Sequence, residues 1–199
     1  MNANKIVRRI LTVILFLSTS VSFASESDSQ LRFTHINTAD YGLSYNSVRC
    51  ILEDSRGFVW IGTYNGLNRY DGIRMKSYSV KDLGISSGHI YTLAEDAVGN
   101  VLIGTDDGLV IYDYSKDAFR HPSSGDSFSD RVYAIRSDSH GRAWVGTRMS
   151  GMYVYDPCED DLRRYPLYTV EGDEIANIYR IAICSNDRIW FASYCDNIY

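Results

Sequence analysis

The chain has 199 residues, with 20 lysines and arginines against 25 aspartates and glutamates, and a formal net charge of −5. Nucleic-acid binding needs a concentrated basic face, so this acidic balance argues against nucleic acid as a partner. The four cysteines form no Cys-x-x-Cys pair and the four histidines no pair at ligand spacing. We therefore expect free, moderately buried thiols, with no metal site and no cofactor.

Residues 1–24 have the pattern of a secretory signal peptide. Lys5, Arg8 and Arg9 precede an apolar run, and Ser22-Phe23-Ala24 fits a cleavage site between small residues. The run is short and interrupted by serine and threonine, although an uncleaved membrane anchor is the alternative. Residues 25–30 are a short linker. The mature chain is expected to be exported, with a formal charge of −8 and no membrane span.

A segment of thirteen residues beginning at Ile51 recurs at Leu93 and at Ile135, with a weaker copy at Ile181. The first three copies are 42 residues apart, and the fourth follows after 46. A period of this length made of short β-type runs is typical of a propeller blade. The sequence therefore predicts an all-β fold, a partial, open β-propeller of four-stranded antiparallel blades.

Each repeat is predicted to hold four strands. An inner strand ends in Asp-x-x-Gly, a hairpin in which aspartate binds the turn backbone and glycine supplies the positive φ. An apolar second strand, a tight glycine turn, a third strand and a polar outer strand follow. The incomplete propeller covers 31–199, with an orphan outer strand at 31–36, three blades at 46–79, 88–121 and 130–168, and a truncated blade at 176–199. The inner strands begin at Val48, Ile90, Val132 and Ile178.

Two recurring aromatic patterns are interpreted as scaffold. Trp60, Trp144 and Trp190 share one position of the second strand and are predicted to fill the space between blades. A Tyr-Asp pair occurs at 70–71, 112–113 and 155–156. Its repetition favours a structural role, in which the tyrosine packs between blades and the aspartate opens the next turn.

No group of residues indicates catalysis. Residues 125–129, Gly-Asp-Ser-Phe-Ser, superficially resemble a serine-hydrolase signature, but they lie in a serine-rich loop without the strand-turn-helix context of a nucleophile elbow. We interpret them as a linker and expect no enzyme.

Binding is supported by position. In a propeller, the loops between second and third strands meet the connections between blades on one face. These loops vary while the frame repeats, and their phenols and polar groups suit a sugar. The reading that each is an ordinary exposed turn residue stays open. The candidate ligand-binding residues are Tyr64, Asn65, Asp106, Asp107, Arg148, Met149 and Tyr194.

The first repeat closely resembles the two-component regulator propeller repeat. The resemblance lies in Asn-Ser-Val-Arg-Cys-Ile at 46–51, in 54–63 and in 65–72, with the lead-in at 42–46. It covers about 31–199. The fourth repeat departs from the pattern, with Cys184 for the turn aspartate, Asp187 for the turn glycine and Ala192 for the strand glycine.

This resemblance implies the N-terminal part of the periplasmic ligand-sensing domain of a hybrid two-component sensor histidine kinase. The parent would be anchored in the inner membrane and would sense oligosaccharides to control glycan-utilisation genes. The implied partners are an oligosaccharide and the remaining blades of the parent, or another copy of the chain. A seven-bladed ring would need about 300 residues. The alternatives are a stand-alone periplasmic scaffold for protein–protein interaction and an enzyme built on a propeller.

Overall fold

The computed structural model describes residues 33–193, so the predicted signal peptide, the linker and Tyr194 lie outside the described residues. From Ile36 onward the described residues belong to one compact unit. Its two helices are single turns, α1 at Thr38–Tyr41 and α2 at Val80–Leu83. Within 33–193, no helix has the length and apolar character that a bilayer crossing requires.

The strands follow the predicted repeat. Blade 1 contains β1 (Val48–Glu53), β2 (Val59–Thr63), β3 (Gly66–Tyr70) and β4 (Met75–Tyr78). Blade 2 contains β5 (Ile90–Glu95), β6 (Val101–Thr105), β7 (Gly108–Asp113) and β8 (Ala118–Arg120). After the short strand β9 (Ser124–Gly125), blade 3 contains β10 (Val132–Ser137), β11 (Ala143–Thr147), β12 (Met152–Asp156) and β13 (Asp161–Tyr165). The fourth repeat contributes β14 (Arg180–Ile183) and β15 (Ile189–Ala192).

Each blade is an open antiparallel sheet in chain order, which confirms the predicted fold class. The inner strands pack on one another in sequence, β1 on β5, β5 on β10 and β10 on β14. Blade 3 has one addition. The segment expected to be a plain linker supplies β9, which pairs parallel with the outer strand β13 and covers its edge.

The Asp-x-x-Gly turns form as predicted. The Asp54 Oδ1 atom accepts hydrogen bonds from the amides of Arg56 and Phe58, both at 3.0 Å. Glycine follows with φ of 84° in the first turn, and equivalent bonds hold the other two turns. In the fourth repeat Asp187 takes the glycine position with φ of 57°, a left-handed conformation that aspartate tolerates better than most residues.

The core lies between blades. Trp60 is fully buried and its ring centroid is 4.9 Å from that of Tyr112 in blade 2. Trp144 is 7% exposed and packs in the cluster that includes Ile178 and Ile181 of the fourth repeat. Trp190, in contrast, is 47% exposed. The prediction that it fills an inter-blade space is therefore wrong within the described residues, because this position faces the following blade and no described strand lies there.

The Tyr-Asp pairs also occupy inter-blade positions. Tyr112 and Tyr155 are almost fully buried, and the three aspartates accept amide hydrogen bonds from the turns that follow them. Tyr70 is only half-buried. This difference has the same origin as that of Trp190, because the tyrosine faces the preceding blade and blade 1 has none among the described residues.

Three smaller expectations need correction. The described part of the predicted orphan strand, 33–36, is not in a strand. The fourth inner strand begins at Arg180 rather than Ile178. The cysteines at 50, 158 and 184 are free. Only Cys50 is partly buried, whereas Cys158 and Cys184 lie exposed in turns.

Candidate functional site

The candidate site lies where the loops between second and third strands meet the connections between blades. The Gly66 amide donates to the Gly88 carbonyl at 2.8 Å, which ties the β2–β3 loop to the connection entering blade 2. In blade 3, the amides of Met149 and Ser150 donate to the Asp130 carboxylate at 2.6 and 2.9 Å. These bonds join the predicted loops into one surface, which we call the loop face.

A β-bulge directs one side chain from each inner strand toward this face. In β1 the register shifts between Val48 and Cys50, and β5 and β10 shift at the same place. The extra residue at a bulge is left out of the ladder and its side chain is re-aimed. The bulge residues are Arg49, Tyr91 and Tyr133, and Tyr179 takes the equivalent position just before β14.

These residues form a continuous row, which we call the ladder. The Tyr91 and Tyr133 rings meet edge to face at 5.6 Å between centroids, and Tyr133 meets Tyr179 at 5.1 Å. The guanidinium carbon of Arg49 lies 4.7 Å from the Tyr91 ring centroid and 4.8 Å from that of Tyr64. Arg131 lies 4.9 Å from the Tyr91 centroid. The ladder thus consists of one arginine followed by three tyrosine rings in contact, and a second cation, Arg131, stacks beside it.

Asp106 fixes the polar groups around the ladder. Its carboxylate accepts from Arg131 Nε at 2.6 Å, from the Ser87 hydroxyl at 2.7 Å and from the Tyr91 hydroxyl at 3.1 Å. His89 Nδ1 lies 3.1 Å from the same carboxylate. Partial burial acts to raise the pKa of Asp106, but the hydrogen bonds from Ser87 and Arg131 outweigh it and hold the pKa below its usual value.

The ladder tyrosine beside this carboxylate stays protonated. Burial, together with the nearby Asp106 charge, raises the pKa of Tyr91 to about 12. Its hydroxyl is therefore a hydrogen-bond donor across the physiological range. Arg131 has its pKa raised as well, first by its hydrogen bond with Tyr133 and then by Asp106.

An open cleft of about 540 Å³ adjoins the ladder on the loop face. Tyr64 forms one wall and contacts His89 edge to face at 5.1 Å. The cleft is lined by Tyr45, Ser47, Tyr64, Asn65, Gly88 and His89. Its mixed aromatic and polar lining, beside the fixed Asp106 carboxylate, suits a ligand with both ring faces and hydroxyl groups.

A second cleft, of about 450 Å³, lies on blade 3 over Trp144 and Tyr165. The equivalent position in blade 1 is covered by Tyr112 and Tyr114 of the next blade, which pack on Trp60. We therefore interpret this second cleft as an inter-blade surface rather than a ligand site.

Of the seven predicted site residues, three lie at the cleft or the ladder and, of the others, the three that the structure describes do not. Tyr64 and Asn65 line the cleft, and Asp106 holds the ladder beside it. Asp107 is bound to the amide and hydroxyl of Ser86. Arg148 and Met149 are exposed in the blade 3 loop, where their backbone amides bind Arg131 and Asp130, and no described contact carries their side chains to the cleft. Tyr194 lies outside the described residues.

Sequence reasoning missed several residues of this face. Arg49, Tyr91 and Tyr133 occupy a bulge that the pattern of apolar residues does not mark. His89 and Arg131 come from the connections between blades, which vary in length and composition. One usable signal was the tyrosine that follows the first residue of three inner strands. A side chain that recurs at the same position of each strand points in the same direction in every blade.

Within 33–193 no group of three or more histidine, cysteine or carboxylate side chains is arranged to hold a metal ion. The loop face offers ring faces, guanidinium groups, phenol donors and carboxylates that hydrogen bonds hold in place, those of Asp106, Asp107 and Asp130.

Comparison with known proteins agrees with the repeat. Residues 42–65 and 126–149 match the family model of the two component regulator propeller. A curated protein, histidine kinase P4 of Formosa agariphila, is 38% identical over 69 residues, which are 35% of this chain and 5% of that protein. The chain therefore spans a small part of this relative's length.

Two solved structures share the fold. The extracellular domain of the hybrid two component system BT3049 from B. thetaiotaomicron is 22% identical, with a TM-score of 0.64 over 81% of this chain and 22% of that one. That of BT4673 from the same organism is 23% identical, with a TM-score of 0.67 and the same coverage. The family model thus matches two segments of the chain, and the likeness to the solved structures shows that the chain shares their fold.

Proposed function

We propose that this chain is part of the periplasmic ligand-sensing region of a hybrid two-component sensor histidine kinase. The repeats are of the family that such sensors carry, and two structural neighbours are extracellular domains of hybrid two component systems. The predicted signal peptide supports export to the periplasm. In this proposal the ligand is an oligosaccharide, and its binding controls the transcription of glycan-utilisation genes.

The ladder and its adjoining cleft are the observation that carries the proposal. Tyr64, Tyr91 and Tyr133 present aromatic rings to one surface, and sugars bind such rings through the apolar faces of their own rings. Asn65 in the cleft and Asp106 beside it supply hydrogen-bonding groups for hydroxyls. Rings with polar groups fixed between them are a typical recognition surface for a polar, ring-shaped ligand.

The proposal is recognition rather than catalysis. The Asp106 carboxylate of the loop face is bound to Arg131, Ser87 and Tyr91, and its pKa is lowered. A general acid would need the opposite shift. Sustained release of reducing sugar from any oligosaccharide by the purified protein would overturn this part of the proposal.

A binding experiment tests the whole proposal. The exported protein is titrated calorimetrically with a panel of oligosaccharides from plant, algal and host glycans. We expect one class to bind, and Tyr91→Ala to weaken its binding about two- to tenfold, since an aromatic ring contact contributes about 0.5–1.5 kcal/mol. Tyr165→Ala, a matched change of a 49% exposed tyrosine on the outer strand of blade 3, should leave binding unchanged. The absence of binding across the panel, or equal effects of the two variants, would refute the proposal.

A second candidate function, a stand-alone scaffold, is favoured by the apolar residues on the two end blades. Ile51 is 65% exposed on β1 and Trp190 is 47% exposed on β15. If these faces pair between copies, the protein should sediment as an oligomer at micromolar concentration, and Ile51→Lys should dissociate it. A monomer under these conditions would count against the scaffold and leave the sensor proposal in place.

A further inference from the structure

Arg49 carries a positive charge on the loop face that no described carboxylate neutralises. Its side chain is exposed and its guanidinium lies between the Tyr64 and Tyr91 rings, 4.8 and 4.7 Å from their centroids. Among residues 33–193, its side chain forms neither an ion pair nor a hydrogen bond. The charge is thus fixed in position by stacking alone.

The neighbouring cation makes the contrast clear. Arg131 also stacks on Tyr91, with its guanidinium carbon 4.9 Å from the ring centroid. Unlike Arg49, however, it has a carboxylate partner, because its Nε donates to Asp106 at 2.6 Å. Asp106 therefore neutralises Arg131 and is already shared with Ser87 and His89. Asp106 makes no described contact with Arg49. Of the two guanidinium groups that stack on Tyr91, that of Arg131 is therefore paired with a carboxylate and that of Arg49 is not.

The other carboxylates of the loop face are also engaged elsewhere. Asp107 accepts hydrogen bonds from Ser86, with the hydroxyl at 2.9 and 2.8 Å from its two oxygens. Asp130 accepts the amides of Met149 and Ser150. The acidic groups that could approach Arg49 are thus committed to the loops that build the face. An uncompensated guanidinium in a chain of net charge −5 is an attractive position for an anion.

We propose that Arg49 is the anion-binding residue of the loop face, and that the ligand presents a carboxylate or a sulfate group to it. This inference deepens the proposed function, since it makes the oligosaccharide an acidic one. The guanidinium fork matches two oxygens of either group. Because the flanking rings restrict the side chain before the ligand arrives, binding loses less conformational entropy than it would with a free arginine.

The first test uses sulfate alone and does not depend on any sugar. Sodium sulfate is titrated into the exported protein labelled with ¹⁵N-arginine, with sodium chloride at matched ionic strength as the reference. We expect the Arg49 Nε–H signal, assigned from its loss in Arg49→Gln, to shift saturably with sulfate and not with chloride. The signal of Arg74, an exposed arginine in the β3–β4 turn at the opposite end of blade 1, should not respond. Equal responses of the two arginines would overturn the inference.

The second test compares oligosaccharides that differ only in charge. Pairs of a uronate with its methyl ester, and of a sulfated with its desulfated oligosaccharide, are titrated into the wild type. The acidic member should bind about tenfold more tightly or better, since a hydrogen bond to a charged group contributes about 1.5–3 kcal/mol. Arg49→Gln should remove the preference and Arg49→Lys should keep part of it, because lysine retains the charge but loses the planar fork. Arg74→Gln is the matched control and should leave the preference intact.

The outcomes separate this inference from the proposed function. Equal binding of neutral and acidic members, or a preference that survives Arg49→Gln in a folded protein, would overturn the anion site while the sensor proposal stands. Saturable binding of sulfate at Arg49 with no oligosaccharide bound would refute the sugar ligand while the anion site stands. The absence of a response to sulfate and to both acidic sugars would overturn the inference outright. Circular dichroism of each variant shows whether it is folded.

Discussion

The Tyr114 hydroxyl of blade 2 donates a hydrogen bond to the Asp54 carboxylate in the first turn of blade 1. The same carboxylate oxygen accepts the Trp60 indole N–H at 2.7 Å, and Oδ1 accepts two turn amides. Asp54 is only 4% exposed. One side chain therefore closes a hairpin, orients a core tryptophan and joins two blades.

This relationship gives a measurable stability difference. Tyr114→Phe keeps the ring on which Arg56 stacks at 3.9 Å and removes only the hydroxyl. We expect the free energy of unfolding in urea to fall by about 2 kcal/mol, the usual value for a hydrogen bond to a charged group. Tyr70→Phe, which removes a hydroxyl bonded to the Gly72 carbonyl in an exposed turn, should cost about 0.5 kcal/mol. Equal losses in the two variants would show that the Asp54 contact does not stabilise the blade interface.

The glycine of the second strand permits the close approach of blades. A Cβ atom built on Gly104 would lie 2.5 Å from Thr92 Cγ2 and 2.8 Å from Val132 Cγ1 of the next inner strand. We expect Gly104→Ala to lower the free energy of unfolding by about 1–3 kcal/mol through overpacking. The fourth repeat has Ala192 at this position, where no described inner strand of a following blade packs. Ala192→Gly should change stability by less than about 1 kcal/mol, and a neutral Gly104→Ala would contradict the packing argument.

The architecture was readable from the sequence because the features that define it recur. The 42-residue spacing, the turn aspartates and the glycines with positive φ predicted most strands to within one or two residues. The exposure of Trp190 was not predictable from the repeat alone. Whether a position is covered depends on a neighbouring blade, and a repeat pattern describes each blade without its neighbours.

The candidate site was only partly readable. Tyr64 and Asp106 do come together on the loop face, as the position of their loops predicted. Arg49 did not stand out, because its direction depends on a β-bulge, a register shift that leaves no mark in the alternation of apolar residues. Arg131 and His89 were missed because the connections between blades do not repeat.

The turn aspartates also differ in a way that the pattern hides. Asp54 and Asp138 accept an indole N–H from Trp60 and Trp144, and both have a lowered pKa because hydrogen bonds, including that one, outweigh burial. In blade 2, Leu102 takes the tryptophan position and gives Asp96 no such donor. Burial then dominates and raises the pKa of Asp96.

Two aspartates of blade 2, Asp113 with a lowered pKa and Asp96 with a raised one, allow the sign of these shifts to be tested in acid. The hydrogen bond from Ser115 leads the groups that lower the pKa of Asp113 to about 2. Its stabilisation is complete above the unfolded value of about 3.9 and is lost as the pH falls through about 2. Asp113→Asn should therefore lose less of its remaining free energy of unfolding between about pH 5 and about pH 2 than the wild type. Asp96→Asn should do the opposite and lose more, because a carboxyl group with a raised pKa stabilises the fold when it is protonated.

Urea unfolding at a series of pH values measures both slopes in one experiment. The two variants remove the same kind of group from blade 2, so an effect of net charge alone would move their slopes in the same direction. Parallel slopes for Asp113→Asn and Asp96→Asn would therefore contradict the assignment of opposite pKa shifts.

The cysteines provide a probe of blade packing that needs no ligand. The Cys50 sulfur lies over Gly62, so that a Cβ atom built on this glycine would be only 2.4 Å from the sulfur. The same sulfur is 3.9 Å from the Ile90 carbonyl oxygen of the next blade. Burial raises the pKa of Cys50 to about 12, so at about pH 8 on the order of one molecule in ten thousand carries the reactive thiolate.

Cys158 is exposed in the β12–β13 turn. Iodoacetamide, followed by peptide mass mapping, should label Cys158 quickly and Cys50 only as blades 1 and 2 separate. In denaturant both should react at similar rates. Labelling of Cys50 as fast as Cys158 in the folded protein would mean that the first two inner strands do not pack as described, and the position of Arg49, one residue before Cys50, would then lose its support.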